Sequence, residues 1–370
     1  SIRNVNQGHA MLGYRIKLAR KRAGLSLREL AAQLDGQVSA NAISKYETGK
    51  MMPSSSVLLA LAKALGLSLD YFTSPMQASL AGVEFRKRAS TPAKDRARVE
   101  AEVLSHIERY LAIEQILDLD STEWNDPLGA RRAIAALEAC EDLAAEVRKA
   151  WDLGADPIPN LTVLLEQHGM KVLLLDLPEK VDGLTCAVQR PGHPPIPCIV
   201  VNRHRPVERR RFTLAHELGH RLIASGGAIA AEAAANRFAG AFLMPAESVR
   251  AEVGQHRHVF GYAEIVQLKR LYRVSAAAFL VRCEQLGIIS RSALTYAFQT
   301  VARTWRKAEP HPLEEAGQVF EEPKRFARLC YRALVEDLIS LPKAAELLQA
   351  PVPHIEEAVK GPGSLHADHH

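Results

Sequence analysis

Cysteine is scarce and unpaired in this chain. The five residues, at positions 140, 186, 198, 283 and 330, form no C-x-x-C pair and are odd in number. That argues against a disulfide-framed scaffold and leaves reduced core thiols as the expectation. Long apolar runs are also missing: none approaches the roughly 18 residues of a membrane span, and no signal peptide opens the sequence. A soluble, cytoplasmic protein with no membrane partner is therefore expected. Position 1 is Ser rather than Met, so the natural N-terminus is expected to lie upstream. Charge of one sign is lacking over most of the length. The net charge is +5, yet residues 1–50 hold nine Lys/Arg against three acids, so this segment is +6 and the other 320 residues sum to −1. A basic head on a neutral body points to a local polyanion contact rather than general stickiness.

What is present is enough for several domains. At 370 residues, 47% of them hydrophobic, the chain affords a sizeable core and two to three domains. From Met11 to Phe72 it reads as short helices. Ser26 and Glu29 are spaced as a capping box, and "VSANAISKYETGK" gives a helix from about Ser39 to Thr48 closed by Gly49. Two short helices across a glycine-containing turn are the layout whose second helix enters the major groove. On that helix Val38, Ile43 and Tyr46 are spaced to face inward. Ala40, Asn41, Ser44 and Lys45 are left to meet base edges, while Arg15, Arg28 and Lys50 are candidates for phosphate. A small bundle with a solvated basic face would carry the same charge. The stretch "LRELAAQL…VSANAISKYETGKMMPSSSVLLALAKALGLSLDYF" resembles the Cro/C1-type (XRE) helix-turn-helix family, with a slightly longer turn. The resemblance implies double-stranded operator DNA as a partner and a possible homodimer.

"FRKRASTPAKDRARVE" reads as a polar hinge into a long helix from about Asp95 to Ile116, with Val99, Val103, Ile107 and Leu111 at helical spacing. The expectation is a connector that sets the distance between head and body, with a dimerisation surface as the alternative. Another helix is predicted from Pro127 to Trp151. Then "LTVLLEQHG" reads as helical, and "KVLLLDL", "GLTCAVQ" and "PCIVVN" as extended, giving a small sheet against helices, an α+β body.

The sequence "RFTLAHELGH" contains His-Glu-x-x-His. Histidines four apart on a helix point the same way, so His216 and His220 can reach one ion, and Glu217 lies beside them to take a proton from water. With 14 His in 370 residues, chance predicts only about 0.04 such motifs. A buried helix with two satisfied histidines would nonetheless look the same, so a third ligand decides. "SGG" at 225–227 breaks the helix, and Glu232 is the sole acid of the following helical segment before Pro245. Its small neighbours allow close approach, and His₂Glu is a usual catalytic zinc set. Asn236, one turn on, is a candidate to orient the Glu232 carboxylate; capping or packing is its plainer role.

"RFTLAHELGH", "E-x-x-x-N-R-F-A" and "LMP", with "WDLGADPIPNL", "DGLTCAV" and "RVSAAAFLVRCEQLGII", look like the ImmA/IrrE family of metallopeptidases over about residues 145–290. The family's members are zinc, or manganese, endopeptidases typically acting on a partner repressor. The resemblance implies a zincin-like domain with His216, His220 and Glu232 as Zn²⁺ ligands, Mn²⁺ being the alternative, and Glu217 as general base. Ala234 stands where members often carry a second acid. "NRHRPVERRRF" is read as a solvated charged face, with an acidic peptide or nucleic acid as the alternative. His204 is a weaker candidate electrophile, and His168, His193, His256 and His258 have no ligand spacing. The "HADHH" end reads as a solvated tail.

The expected organisation is multidomain and mainly α. It comprises a helix-turn-helix bundle (1–75), a helical linker (76–145), a small-sheet metallopeptidase domain (146–292) and a helical module (293–370). The expected function is a DNA-binding regulator fused to a zinc endopeptidase that cleaves a repressor-like protein. The alternative is a non-proteolytic regulator or antitoxin whose metal-binding body senses a ligand or metal.

Overall fold

A computed structural model describes residues 2–74, 78–87, 91–119, 124–224, 229–316 and 321–361. The "SGG" break and the "HADHH" end lie outside them. The head consists of α1 (Ile2–Arg22), α2 (Leu27–Gln33), α3 (Ala40–Glu47), α4 (Ser55–Leu65) and α5 (Leu69–Thr73). Ser26 opens α2 with the expected capping box: its hydroxyl accepts from the Glu29 amide, and the Glu29 carboxylate accepts from the Ser26 amide. Ser39 caps α3 through the Ala42 amide. Ile16, Leu30, Ile43 and Tyr46 meet Leu61, Leu65 and Phe72 in the core. Gly13 sits where α1 crosses the end of α3. A Cβ there would lie 2.3 Å from the Tyr46 carbonyl oxygen, a separation no side chain permits.

The body opens with β1 (Ser79–Lys87) and α6 (Ala93–Ile116), then α7 (Ala139–Ala150) and α8 (Leu161–Gln167). It continues with β2 (Lys171–Leu175), β3 (Val181–Arg190), β4 (His193–Asn202), α9 (Val207–Leu222) and α10 (Ala231–Leu243). The helices α11 (Ala246–Val253), α12 (Tyr262–Tyr272), α13 (Ala276–Gln285) and α14 (Arg291–Gln299) complete the packing around α9 and α10. The sheet order is β1-β3-β4-β2, with β1/β3 and β3/β4 antiparallel and β2/β4 parallel. Side chains alternate as strand geometry demands. Cys198 and Val200 of β4 face Val99, Val103 and Ile107 of α6, while Ile199 and Val201 face Leu214 and Leu218 of α9.

Two expectations are corrected here. The segment read as a helical linker is not a spacer. Its helix α6 covers one face of the sheet, and its first part supplies the edge strand β1, only the last three residues of which fell within the stretch read as polar hinge. An edge strand whose last residues include Glu84, Arg86 and Lys87, with a bulge between Ala81 and Glu84, carries little hydrophobic pattern. The helix expected from Pro127 begins at Ala139. Residues 127–138 spend their backbone groups elsewhere: the Arg132 amide donates to the Leu222 carbonyl and the Ala224 amide to the Arg132 carbonyl, both at 2.8 Å. Pairing with the end of α9 thus overrides an alanine-rich helical pattern.

The C-terminal helices α15 (Arg325–Val335), α16 (Leu341–Leu348) and α17 (Val352–Lys360) pack on the far end of α6. There Phe326, Cys330 and Leu347 meet Tyr110 and Ile113. All five cysteines are buried and free. No helix among the described residues is long and apolar enough to cross a membrane.

Candidate metal centre and DNA-reading helix

The helix α9 lies under the sheet on one side and against α10 on the other, which leaves it buried over most of its length. Buried charges hold it in place. Glu208, in its first turn, accepts from Lys269 Nζ at 2.8 Å and from the Leu313 amide at 2.9 Å. Arg211, wholly buried, bonds to Glu321 and to the Ile158 carbonyl. The remaining arginines of the run are also engaged. Arg205 and Arg209 pair with Asp182, and Arg210 with Glu314. The expectation of a solvated basic face is corrected: only Arg203 has its side chain more than half exposed among these paired arginines. The run is a set of internal clamps, with charges neutralised by acids that lie far away in sequence.

Gly219 is the contact point between α9 and α10. An added Cβ would meet the Phe238 ring at 3.0 Å and the Ala235 Cα at 3.2 Å. This close approach brings the third donor in. His220 Nε2 lies 2.9 Å from His216 Nε2 and 3.1 Å from Glu232 Oε1, and His216 Nε2 lies 3.4 Å from Glu232 Oε2. One ligand atom from each residue falls within 4.8 Å of the others. Two imidazole nitrogens so close repel unless a proton or a cation stands between them. Tetrahedral bonds of about 2.0–2.1 Å to zinc would place donors ~3.3 Å apart, so the set fits such an ion.

The imidazole of His216 has its orientation fixed. Its Nδ1 lies 2.9 Å from Asn236 Oδ1, which makes Nδ1 the protonated donor and turns Nε2 toward the cluster. The expectation that Asn236 orients Glu232 is corrected: one turn along α10 it reaches His216 instead. Glu217 is 3% exposed beside the histidine pair. Glu232 stands at the rim, its side chain 69% exposed.

A cavity of about 290 Å³ adjoins the cluster, lined by His220, Arg221 and Arg131, by Gly82 and Glu84 of β1, and by Thr185 of β3. Burial, then the charge of Arg131, pushes the Arg221 guanidinium down, while Asp126 opposes this. Sequence reading missed this wall. Arg131 lay in a segment taken for helix, Gly82 and Glu84 of β1 in one taken for helical linker, and nothing marked Arg221 apart from its place after His220. Among the other histidines, His204 pairs with Asp176 at 3.2 Å and His168 stacks on Trp151 at 4.2 Å.

In the head, Asn41 and Lys45 are exposed on α3, Ala40 and Ser44 are half-buried there, and Arg28 and Lys50 are exposed beside it. Ile43 and Tyr46 turn inward. Arg15 does not join them. It is 3% exposed, pairs with Glu108 of α6 at 2.5 Å and donates to the Ser74 carbonyl. Its role as a phosphate contact is therefore corrected: its charge fastens the head to α6.

No curated protein matches the chain. Residues 16–72 match the family model described as helix-turn-helix, and residues 165–284 the one described as IrrE N-terminal-like domain. The chain thus joins an XRE-type helix-turn-helix head to an IrrE/ImmA-like domain of the metallopeptidase class.

Proposed function

We propose that the head binds double-stranded operator DNA and that the body is a zinc-dependent endopeptidase, with manganese as the alternative ion, cleaving a repressor or related partner protein. The observation that carries the reading is the convergence of His216, His220 and Glu232 with the buried Glu217 alongside. His216, His220 and Glu232 would hold the ion. When bound, a divalent metal supplies Lewis-acid polarisation of a carbonyl and acidifies water. Glu217 takes the proton of the water that adds to the peptide carbonyl carbon. It then delivers that proton to the amine as the C–N bond breaks, leaving a carboxylate and a free amine. Asn236 holds the His216 ring in the tautomer this requires. The cleft beside His220 would admit an extended chain along the edge of β1, whose outer backbone groups face no further strand among the described residues. In the head, Asn41, Lys45, Ala40 and Ser44 are assigned to base edges and Arg28 and Lys50 to phosphates.

The test is a survey of new protein N-termini in cells expressing wild type or Glu217→Gln, with zinc and manganese supplied and DNA damage included. A terminus within a repressor-like protein, present with wild type alone, is the expected result. Identical surveys under every condition would leave the non-proteolytic regulator, to be tested by operator binding with and without metal.

A further inference from the structure

Away from the metal centre, a cavity of about 380 Å³ lies where three parts of the chain meet. Arg15, Arg22, Ser68 and Tyr71 line it from the head, Ser105, Glu108 and Arg109 from α6, and Leu347 from α16. Asp70, Lys343 and Glu346 line it too, Lys343 pairing with Glu346 at 3.0 Å, yet two of its guanidiniums stay outside any ion pair among the described residues. Arg15 is matched by Glu108 at 2.5 Å. Arg22 and Arg109 converge on one residue, Ser105: Arg22 Nη1 donates to its hydroxyl at 2.9 Å and Arg109 Nε to its carbonyl at 3.3 Å. Arg109 also donates to the Leu347 carbonyl. Neither guanidinium forms an ion pair with a carboxylate among the described residues; Glu102 and Glu346 face Arg109 without pairing with it. Burial, with the neighbouring Arg22 charge adding to it, pushes the Arg109 guanidinium down to about 10. Two like charges hydrogen-bonded only to neutral acceptors repel, an effect that Glu102 and Glu346 offset in part, and an anion between them removes it. A third donor borders the cavity: the Ser68 hydroxyl, at the N-cap position of α5, makes no cap hydrogen bond and has no partner among the described residues.

We propose that this cavity is a binding site for a small oxyanion-bearing molecule, its phosphate or carboxylate group held by Arg22 and Arg109 and its body resting against Leu67 and Tyr71. The volume suits a small metabolite rather than a lone ion. The occupant touches the head, α6 and the C-terminal module at once, so it acts as a brace among them.

The experiment is thermal unfolding of the full chain in inorganic phosphate, and separately in succinate, against chloride of equal ionic strength. At least one of the two anions is expected to raise the wild-type Tm, and which one distinguishes a phosphate from a carboxylate ligand. Arg22→Gln is expected to abolish the rise. Ser68→Ala removes a donor and no contact of the fold, so titration should show the effective anion binding roughly tenfold more weakly. Absence of any rise in both anions overturns the proposal, as does a rise that Arg22→Gln and Ser68→Ala leave intact.

Discussion

The chemistry of the metal centre rests on single atoms. On the proposed reading, replacing Glu217 by Gln removes the proton acceptor and leaves the three proposed ligand atoms in place. Peptide cleavage should therefore fall by about 10²–10⁴ while bound zinc, measured by elemental analysis, stays stoichiometric. Asn236→Leu should do the reverse, weakening metal affinity by about 10–100-fold in a competition titration, because the His216 ring loses the acceptor that fixes its tautomer. A separate titration belongs to Glu166, whose carboxylate oxygens are buried with no hydrogen-bond partner among the described residues. Burial pushes this carboxyl up from 4.5 to about 7, against the pull of Arg325, Arg328 and Lys171. Between those two values the folded chain binds more protons than the unfolded one, so this group's contribution to stability falls as pH rises through that window. The stability of wild type relative to Glu166→Gln should decline from pH 5 to pH 7 in matched denaturant titrations; a flat difference would refute the shift.

At the scale of elements, Gly13 sets the approach of α1 to α3 and Gly219 that of α9 to α10. Gly219→Ala should force α9 and α10 apart by a few tenths of an ångström, costing about 1–3 kcal/mol and displacing Glu232 from the histidines. A lowered Tm together with weaker metal binding would mark it. Much of this was legible in sequence, for local reasons. The capping box at Ser26, the inward spacing of Ile43 and Tyr46 on α3, and three of the four strands are written in short-range patterns. So was the pairing of His216 with His220, since both sit on one helix, and the approach of Glu232, foreshadowed by the small residues around it. What escaped depends on partners distant in the chain. Arg211 reads as a surface charge until Glu321, 110 positions later, is seen to neutralise it. Arg15 reads as a DNA contact until Glu108 arrives on α6. β1, an edge strand with a bulge, has too little apolar alternation to announce itself.

For the whole molecule, the buried pair Arg211–Glu321 is the tie between α9 and the chain just before the C-terminal module, since Glu321 also accepts from the Leu161 and Thr162 amides. Glu321→Ala leaves a buried guanidinium unmatched and should cost about 3–5 kcal/mol, read as a lower denaturation midpoint of the full chain. The head is tied to the body differently. It packs through α1 on α6, and its last helix, α5, runs on along the chain into β1. The strand that walls the cleft is thus a covalent continuation of the DNA-reading unit. In kinematic terms head and cleft share a coordinate: a rotation of the head bears on α6, and through α6 on β1 and its ladder with β3. Because a slip of one residue would turn every β1 side chain to the opposite face of the sheet, small strains are resisted and a large one would arrive as a step.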